Sequence, residues 1–188
     1  MSAIYSALVH YPVRDRDGQL ATAAVTNIDV HDIARSSHTF GLSGMFVVTP
    51  IDAQQALVGR ILEHWREGSG KRRMPHRSEA LASCQVADSI QTACEVIAQL
   101  HGRAPRLIAT AARSSETLAV QTFEQLRSRL AASDEPWLIV FGTGHGLADE
   151  VLARADVLLE PIRGATEYNH LSVRAAAAIV FDRLFGAR

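Results

Sequence analysis

Asn169, His170 and Ser172 stand directly in front of four consecutive alanines, Ala175 to Ala178, in the segment EYNHLSVRAAAAIVFDRL. Alanine favours helix and adds no bulk, so a helix beginning here offers a surface that another backbone or a ligand can approach closely. The polar residues then have two readings. Ser172 or Asn169 can cap the helix by accepting from its orphan N–H groups, or the group can hold something bound against the small-faced helix end. A second candidate is FGTGHGL, residues 141–147, where Gly142, Gly144 and Gly146 alternate. Such glycines permit positive φ and leave backbone N–H and C=O groups bare, which suits either a plain turn or a loop wrapped around a small ligand. A third is TAARSSE, residues 110–116. GSGKRRMPHR, residues 68–77, carries Lys71, Arg72, Arg73, His76 and Arg77, the densest positive charge in the chain. A loop made mobile by Gly68 and Gly70 could contact phosphates there without reading bases; the alternative is a solvated surface loop.

The first three segments each follow a run that reads as a β-strand: RLIATAA (106–112), PWLIVFG (136–142) and ADVLLEP (155–161). Ligands of open α/β sheets bind outside the carboxyl ends of the strands, so this placement has a physical reason. The remaining elements fit the same frame. IYSALVHYPV reads as the first strand, TAAVT (22–26) as a short second one, GMFVVTP (44–50) as a buried strand and ALASCQVAD (80–88) as another. Helices are expected over TNIDVHDIARSSHTFG, where Ile28, Ile33, Ala34 and Phe40 recur and Gly41 stops the helix, and over IQTACEVIAQLHG, ended by Gly102. IDAQQALVGRILEHWREG and QTFEQLRSRLAAS read as further helices, the former with Ala56, Leu57, Ile61, Leu62 and Trp65 on its apolar face. Strands alternating with helices predict one α/β domain over residues 1–188 with a parallel-rich sheet flanked by helices.

Several function classes lose support from the same sequence. A net charge of −1 gives no global attraction to nucleic acid, so any polyanion partner must be held by a local patch. Neither G-x-G-x-x-G after the first strand nor G-x-x-x-x-G-K-[ST] occurs, which argues against a dinucleotide enzyme or a P-loop NTPase. Cys84 and Cys94 lack zinc-site spacing and read as reduced thiols of a cytoplasmic protein. His145 and His170, 25 residues apart without a clear carboxylate partner, make a poor ligand set, so no metal is expected. No apolar run approaches membrane-spanning length.

The order of glycine loop, short strand, proline-containing loop and alanine-faced helix resembles the cofactor end of the SPOUT superfamily of knotted methyltransferases. The N-terminal half carries the resemblance further: Asn27, then Arg35 within a helix, then Phe40 and Gly41 before a strand are similar to the first motif of the ribose 2′-O-methylating branch. With LEPIRG and EYNHLSVRAAAAI, the whole chain most closely resembles a bacterial family of SAM-dependent RNA methyltransferases of this class. That resemblance implies a C-terminal trefoil knot, a homodimer, S-adenosylmethionine as cofactor and RNA, above all tRNA, as substrate. It implies a cofactor site of Thr110, Ala111, Phe141, Gly142, Thr143, Gly144, Gly146, Leu147, Ile162, Gly164, Asn169, His170, Leu171 and Ser172. Arg35, Asn27 and Asn169 are the implied catalytic residues, Arg35 stabilising a developing alkoxide; its plain alternative is a surface ion pair with Asp32. Lys71, Arg72, Arg73 and Arg77 would contact the RNA. FGTGHGL lacks a glutamate usual in the branch's glycine loop, and Asn169 lies three residues before Ser172 rather than two. The acceptor therefore stays open between ribose 2′-O, which is favoured, and a base nitrogen. The alternative function is a non-catalytic RNA-binding or assembly protein that keeps the fold, and a third reading is an unrelated nucleotide-binding α/β protein.

Overall fold

The computed structural model describes residues 2–112, 120–166 and 168–187. Seven of its strands are β1 (Ile4–Val9), β4 (Gly44–Val48), β5 (Cys84–Ala87), β6 (Arg106–Ala109), β7 (Val120–Gln121), β8 (Trp137–Gly142) and β9 (Val157–Leu159). They form one all-parallel sheet in the order β5-β4-β1-β8-β6-β9-β7. Three adjacent strands, β4, β1 and β8, are buried almost throughout, as apolar runs covered on both faces should be. A separate antiparallel hairpin, β2 (Val13–Arg14) with β3 (Leu20–Ala21), follows β1.

Side-chain alternation divides the core in two. Leu8, Met45, Val47, Ile139 and Phe141 face α1 (Asn27–Thr39), α2 (Asp52–Arg66), α4 (Pro75–Ala82), α6 (Phe123–Ala132) and α8 (Val173–Phe185). Ala7, Val9, Phe46, Leu138 and Val140 face α5 (Ile90–His101) and α7 (Asp149–Ala153). The helices begin where local chemistry lets them. Thr26 caps α1, Ser89 caps α5, Thr122 with Gln125 forms a reciprocal capping box on α6, and Ser172 caps α8. Gly102 ends α5 in the left-handed conformation, and Gly41 follows α1 at φ +75°.

Five expectations are corrected. TAAVT forms no strand; the β2–β3 hairpin precedes it, because Ala23 N–H is used by the His10 carbonyl and Val25 N–H by the Gln54 side chain. On α2 the buried positions are Val58 and Leu62, with Ile61 and Trp65 half-buried, while Ala56 and Leu57 are exposed. α4 packs over the second half of α2 and so sets the covered side. Likewise Ile28, at the start of α1, is 54% exposed. ALASCQVAD is a strand only from Cys84; its first alanines finish α4, which Pro75 initiates from the first helical position. GSGKRRMPHR is helical, as α3 (Ser69–Arg73) and the start of α4. Its glycines serve close packing rather than mobility: a Cβ at Gly70 would lie 2.7 Å from the Trp65 ring, and one at Gly68 2.7 Å from the His64 carbonyl oxygen.

Candidate functional site

Strand order brings the three candidate loops side by side. β8, β6 and β9 are neighbours, so residues 110–112, 143–147, 160–166 and 168–172 emerge together from the carboxyl edge of the sheet. Two contacts join them. The Asn169 side-chain amide donates to the Ala112 carbonyl oxygen at 2.7 Å, tying the third loop to the first. The Thr110 hydroxyl and N–H both donate to the Val140 carbonyl oxygen, at 3.0 and 3.2 Å, tying the first to β8. Arg113 to Glu116, the remainder of TAARSSE, lie outside the described residues.

The glycine loop is shaped on one side by the hairpin. Arg14 N–H donates to the Gly146 carbonyl, His145 N–H to the Arg14 carbonyl and Ala148 N–H to the Pro12 carbonyl, while Val13 and Leu147 form an antiparallel bridge. Gly144 and Gly146 have φ of +60° and +107°. At Gly142 a Cβ would meet Leu147 N at 2.5 Å, and at Gly144 the Arg14 carbonyl oxygen at 3.0 Å. Part of the glycine requirement is therefore geometric: backbone here packs on backbone. Not every residue of this loop has a side chain free for a ligand. Phe141 is buried with its ring 5.5 Å from that of Phe181, Leu147 is a core residue of the opposite face, and the Thr143 hydroxyl donates to the Val9 carbonyl at 2.9 Å. From Phe141 and Leu147 only the backbone is available, and Thr143 spends its backbone too, its N–H donating to the Val9 carbonyl and its carbonyl accepting from Gly146 N–H.

The third loop combines both readings of its polar residues. Ser172 is a cap, its hydroxyl accepting from Ala175 N–H at 3.4 Å. Asn169 braces the loop instead of capping. Tyr168, His170 and Leu171 are exposed, the rings of the first two meeting edge to face at 5.3 Å. Ile162 packs partly on the core, whereas Gly164 has open space around it. Ala175 and Ala176 are half-buried at the start of α8.

α1 meets this helix through a charged cluster that sequence reasoning missed. Arg174, in the first turn of α8, donates to Asp29 at 3.0 Å and lies 3.7 Å from Asp32. Asp29 also accepts the Thr26 hydroxyl at 2.5 Å. The Thr26-x-x-Asp29 spacing is a legible helix-start signature; nothing in the local sequence announces a partner 145 residues away. Arg35 lies one turn along, 3.9 Å from Asp32 and 56% exposed, and Asn27 is exposed at the first position of α1. The ion pair with Asp32 exists but is long and wet.

Positive charge gathers on α3 and α4, which pack against α2. Lys71, Arg72 and Arg73 are exposed on α3, and Arg77 lies 5.1 Å over the Trp65 ring. Burial lowers the pKa of His31, and the positive fields of Arg77, Arg35 and His64 lower it further against the pull of Asp32. Arg77 and Arg35 thus act on one ring from two helices. His10, missed as well, sits fully buried past the end of β1, both ring nitrogens without a hydrogen-bond partner among the described residues. Burial brings its pKa down to about 4 although Asp29 pulls the other way, so it is neutral at physiological pH.

A cleft of about 680 Å³ opens elsewhere, at the ends of β1, β4 and β5, with Tyr11, Pro50, Asp52, Asp88, Glu150 and Arg154 among its walls. None of the expected cofactor residues lines it. Three carboxylates against one guanidinium make it unfavourable for a phosphate chain. Among the described residues no group of three or more His, Cys, Asp or Glu could hold a metal ion, and no helix is long and apolar enough to cross a membrane.

Comparison with known proteins fits this architecture. A family model described as SAM-dependent RNA methyltransferase matches residues 3–186. A protein of Nitratidesulfovibrio vulgaris named tRNA (guanine-N(1)-)-methyltransferase is 45% identical over 183 residues, covering 97% of this chain but 42% of that protein. The chain thus spans less than half the length of that relative. An uncharacterized protein of Aquifex aeolicus is 38% identical over 182 residues, 97% of this chain and 88% of its own. Among solved structures, TrmJ from Z. mobilis superposes with a TM-score of 0.60 at 18% identity, over 98% of this chain and 68% of that one. A structure described for 2-OH methylation of C/U34 on tRNA gives 0.57 at 18% identity, over 98% and 97%. At such identities the structural likeness speaks to the fold alone.

Proposed function

The chain belongs to the SAM-dependent RNA methyltransferases, and from that premise we propose that it methylates tRNA, with a ribose 2′-oxygen as the acceptor. The observation that carries the reading is the convergence of residues 110–112, 143–147, 160–166 and 168–172 on the edge of three adjacent strands, the first loop tied to the third by the Asn169–Ala112 bond. These residues fit the cofactor. Open space at Gly146 and Gly164 and the small Ala175 and Ala176 leave room for a flat adenosine. Phe141 and Leu147 contribute backbone alone, because their side chains are buried, while Thr110 and Thr143 shape the loops, their hydroxyl and N–H groups being spent on the Val140 and Val9 carbonyls. Insertion of β9 between β6 and β7, strands that precede it in the chain, supports the trefoil threading implied by the resemblance.

When bound, S-adenosylmethionine supplies an electrophilic methyl group whose bonding pair stays on sulfur as the new O–CH₃ bond forms. What remains for the chain is alignment of the acceptor and stabilisation of its growing negative charge. Arg35 is suited to the second task, since a guanidinium held by one long, exposed ion pair can turn to a substrate oxygen at small cost. The hydroxyl proton passes to solvent. Asn27, exposed about two turns before it on α1, orients the ribose; Arg35 acts on RNA held by its own subunit or by a partner in a homodimer. Lys71, Arg72, Arg73 and Arg77 hold phosphates.

A base nitrogen is the second reading, supported by the name of the Nitratidesulfovibrio relative. Because more than half of that protein lies outside the match, its named activity can reside in either part. Calorimetric titration with S-adenosylmethionine and S-adenosylhomocysteine, with NAD as control, tests the cofactor. Labelled methyl transfer to unfractionated tRNA, followed by digestion to nucleosides, separates ribose from base. Arg35→Ala is expected to abolish transfer and leave S-adenosylmethionine affinity nearly intact. Unchanged turnover in that variant would remove Arg35 from the mechanism, and absence of saturable cofactor binding would overturn the enzyme reading.

A further inference from the structure

We propose that Arg174 is a positioning residue: it takes up the charge of Asp29 and much of that of Asp32, and so keeps the Arg35 guanidinium free to turn to the RNA. The inference rests on the reading of Arg35 given above.

Asp29, Asp32 and Arg35 follow one another at three-residue intervals on α1 and share one side of the helix. Two carboxylates this close make a strong local negative field, and Arg35 is the cation of α1 placed to answer it. Arg174 reaches across from α8 and intercepts that field. Its guanidinium spans both acids, at 3.0 Å to Asp29 and 3.7 Å to Asp32, and is 38% exposed. Asp29 is fully engaged: its side chain is only 12% exposed, with the Thr26 hydroxyl on one oxygen and Arg174 on the other. Asp32 is shared, one oxygen towards Arg174 and the other 3.9 Å from Arg35. The four charges sum to zero, yet the pairing is unequal, and Arg35 holds the weakest share.

Without the Arg174 charge both acids would fall to Arg35. The guanidinium would be drawn onto Asp32 in a fully formed pair, and lifting it onto a substrate oxygen would first require breaking that pair. The same residue belongs to the turn capped by Ser172, so the cofactor-side helix end and the substrate-side helix are joined by one side chain.

Two readouts test this on the full chain. The first is the rate at which phenylglyoxal labels Arg35, followed by peptide mass spectrometry; the second is kcat and KM for methyl transfer to unfractionated tRNA. Arg174→Met is expected to slow Arg35 labelling and lower kcat about fivefold, the size of a fully formed exposed ion pair, with KM for S-adenosylmethionine changed less. Adding Asp32→Asn removes the trap, and Arg174→Met/Asp32→Asn is expected to recover both rates. A purely structural role for Arg174 would give no such rescue, since the second substitution loosens the cluster further. Arg174→Lys, which keeps the charge but spans the two acids less well, is expected to fall between. If Arg174→Met does not fold, Asp32→Asn alone still decides: with Arg174 already holding Asp32, Arg35 labelling rises less than about twofold. Unchanged labelling in Arg174→Met, lack of rescue, or a fivefold rise in Asp32→Asn alone overturns the proposal. If Arg35→Ala keeps full turnover, the reading of Arg35 falls and the positioning role with it; if Arg35→Ala is inactive and Arg174→Met behaves as wild type, only the present inference fails.

Discussion

Replacing Gly142 by alanine separates the two uses of the glycine loop. The new methyl carbon would lie 2.5 Å from Leu147 N and 2.8 Å from the Gly146 carbonyl carbon, both backbone atoms. Ordinary contact begins near 3.4 Å, so strand end and loop must part by about 0.9 Å. Leu147 cannot retreat freely, because it is buried and bridged to Val13. Forcing added volume into such a packed place costs about 1–3 kcal/mol. For a chain of this length each kcal/mol lowers Tm by roughly 2–4 °C, giving a fall of about 4–8 °C for a central cost of ~2 kcal/mol. Gly146→Ala meets no atom but must hold φ +107°, a strain of roughly 1–2 kcal/mol. Gly164→Ala, with open space and no positive φ, should stay within ~0.5 kcal/mol. Thermal unfolding with and without S-adenosylmethionine, combined with calorimetric titration, reads both effects. Gly142→Ala is expected to lower Tm as stated and weaken S-adenosylmethionine binding about tenfold, because a shift of this size misplaces the loop's bare N–H and C=O groups. Wild-type Tm in Gly142→Ala would refute the packing argument; a lowered Tm with wild-type affinity would show that the loop only turns the chain.

The remaining expectations concern charge. Changing Lys71, Arg72 and Arg73 together to alanine should weaken tRNA binding and flatten its dependence on log salt by roughly 0.7–0.9 for each phosphate that is no longer neutralised; equal affinity and slope return α3 to the role of a solvated helix. His10 gives a pH signature. Its folded-state pKa of about 4 lies below the ordinary value of 6.5, so between those values the unfolded chain binds more protons and stability falls as pH drops. From pH 6.5 to 5 this group alone removes up to about 2 kcal/mol, and only a few tenths of a kcal/mol above 6.5. Urea unfolding at pH 7 and pH 5 should show a smaller loss for His10→Asn than for wild type, and an equal loss would show that His10 titrates normally in the fold.

The chain's local chemistry determined much of this protein. Strand runs, the helix stops at Gly41 and Gly102, the Ser172 cap and the position of three loops after three strands were legible, because each depends on residues within a turn or two of one another. The family resemblance was legible for the same reason, in short runs such as PIRG and NHLSVRAAAA. Other features were fixed only by packing. Which side of α2 is buried depends on α4 lying across it, so Val58 rather than Leu57 turns inward. The basic segment looked like a glycine-loosened loop, yet Gly70 is there to let Trp65 close on it. That the loops after β6, β8 and β9 become neighbours follows from a strand order in which β8 and β9 are inserted beside earlier strands, and no local preference encodes that order. Arg174 shows the limit most clearly. Its two acids lie 145 and 142 residues before it, and only the packing of α8 on α1 brings the charges within 4 Å, where Coulomb attraction becomes strong enough to choose partners.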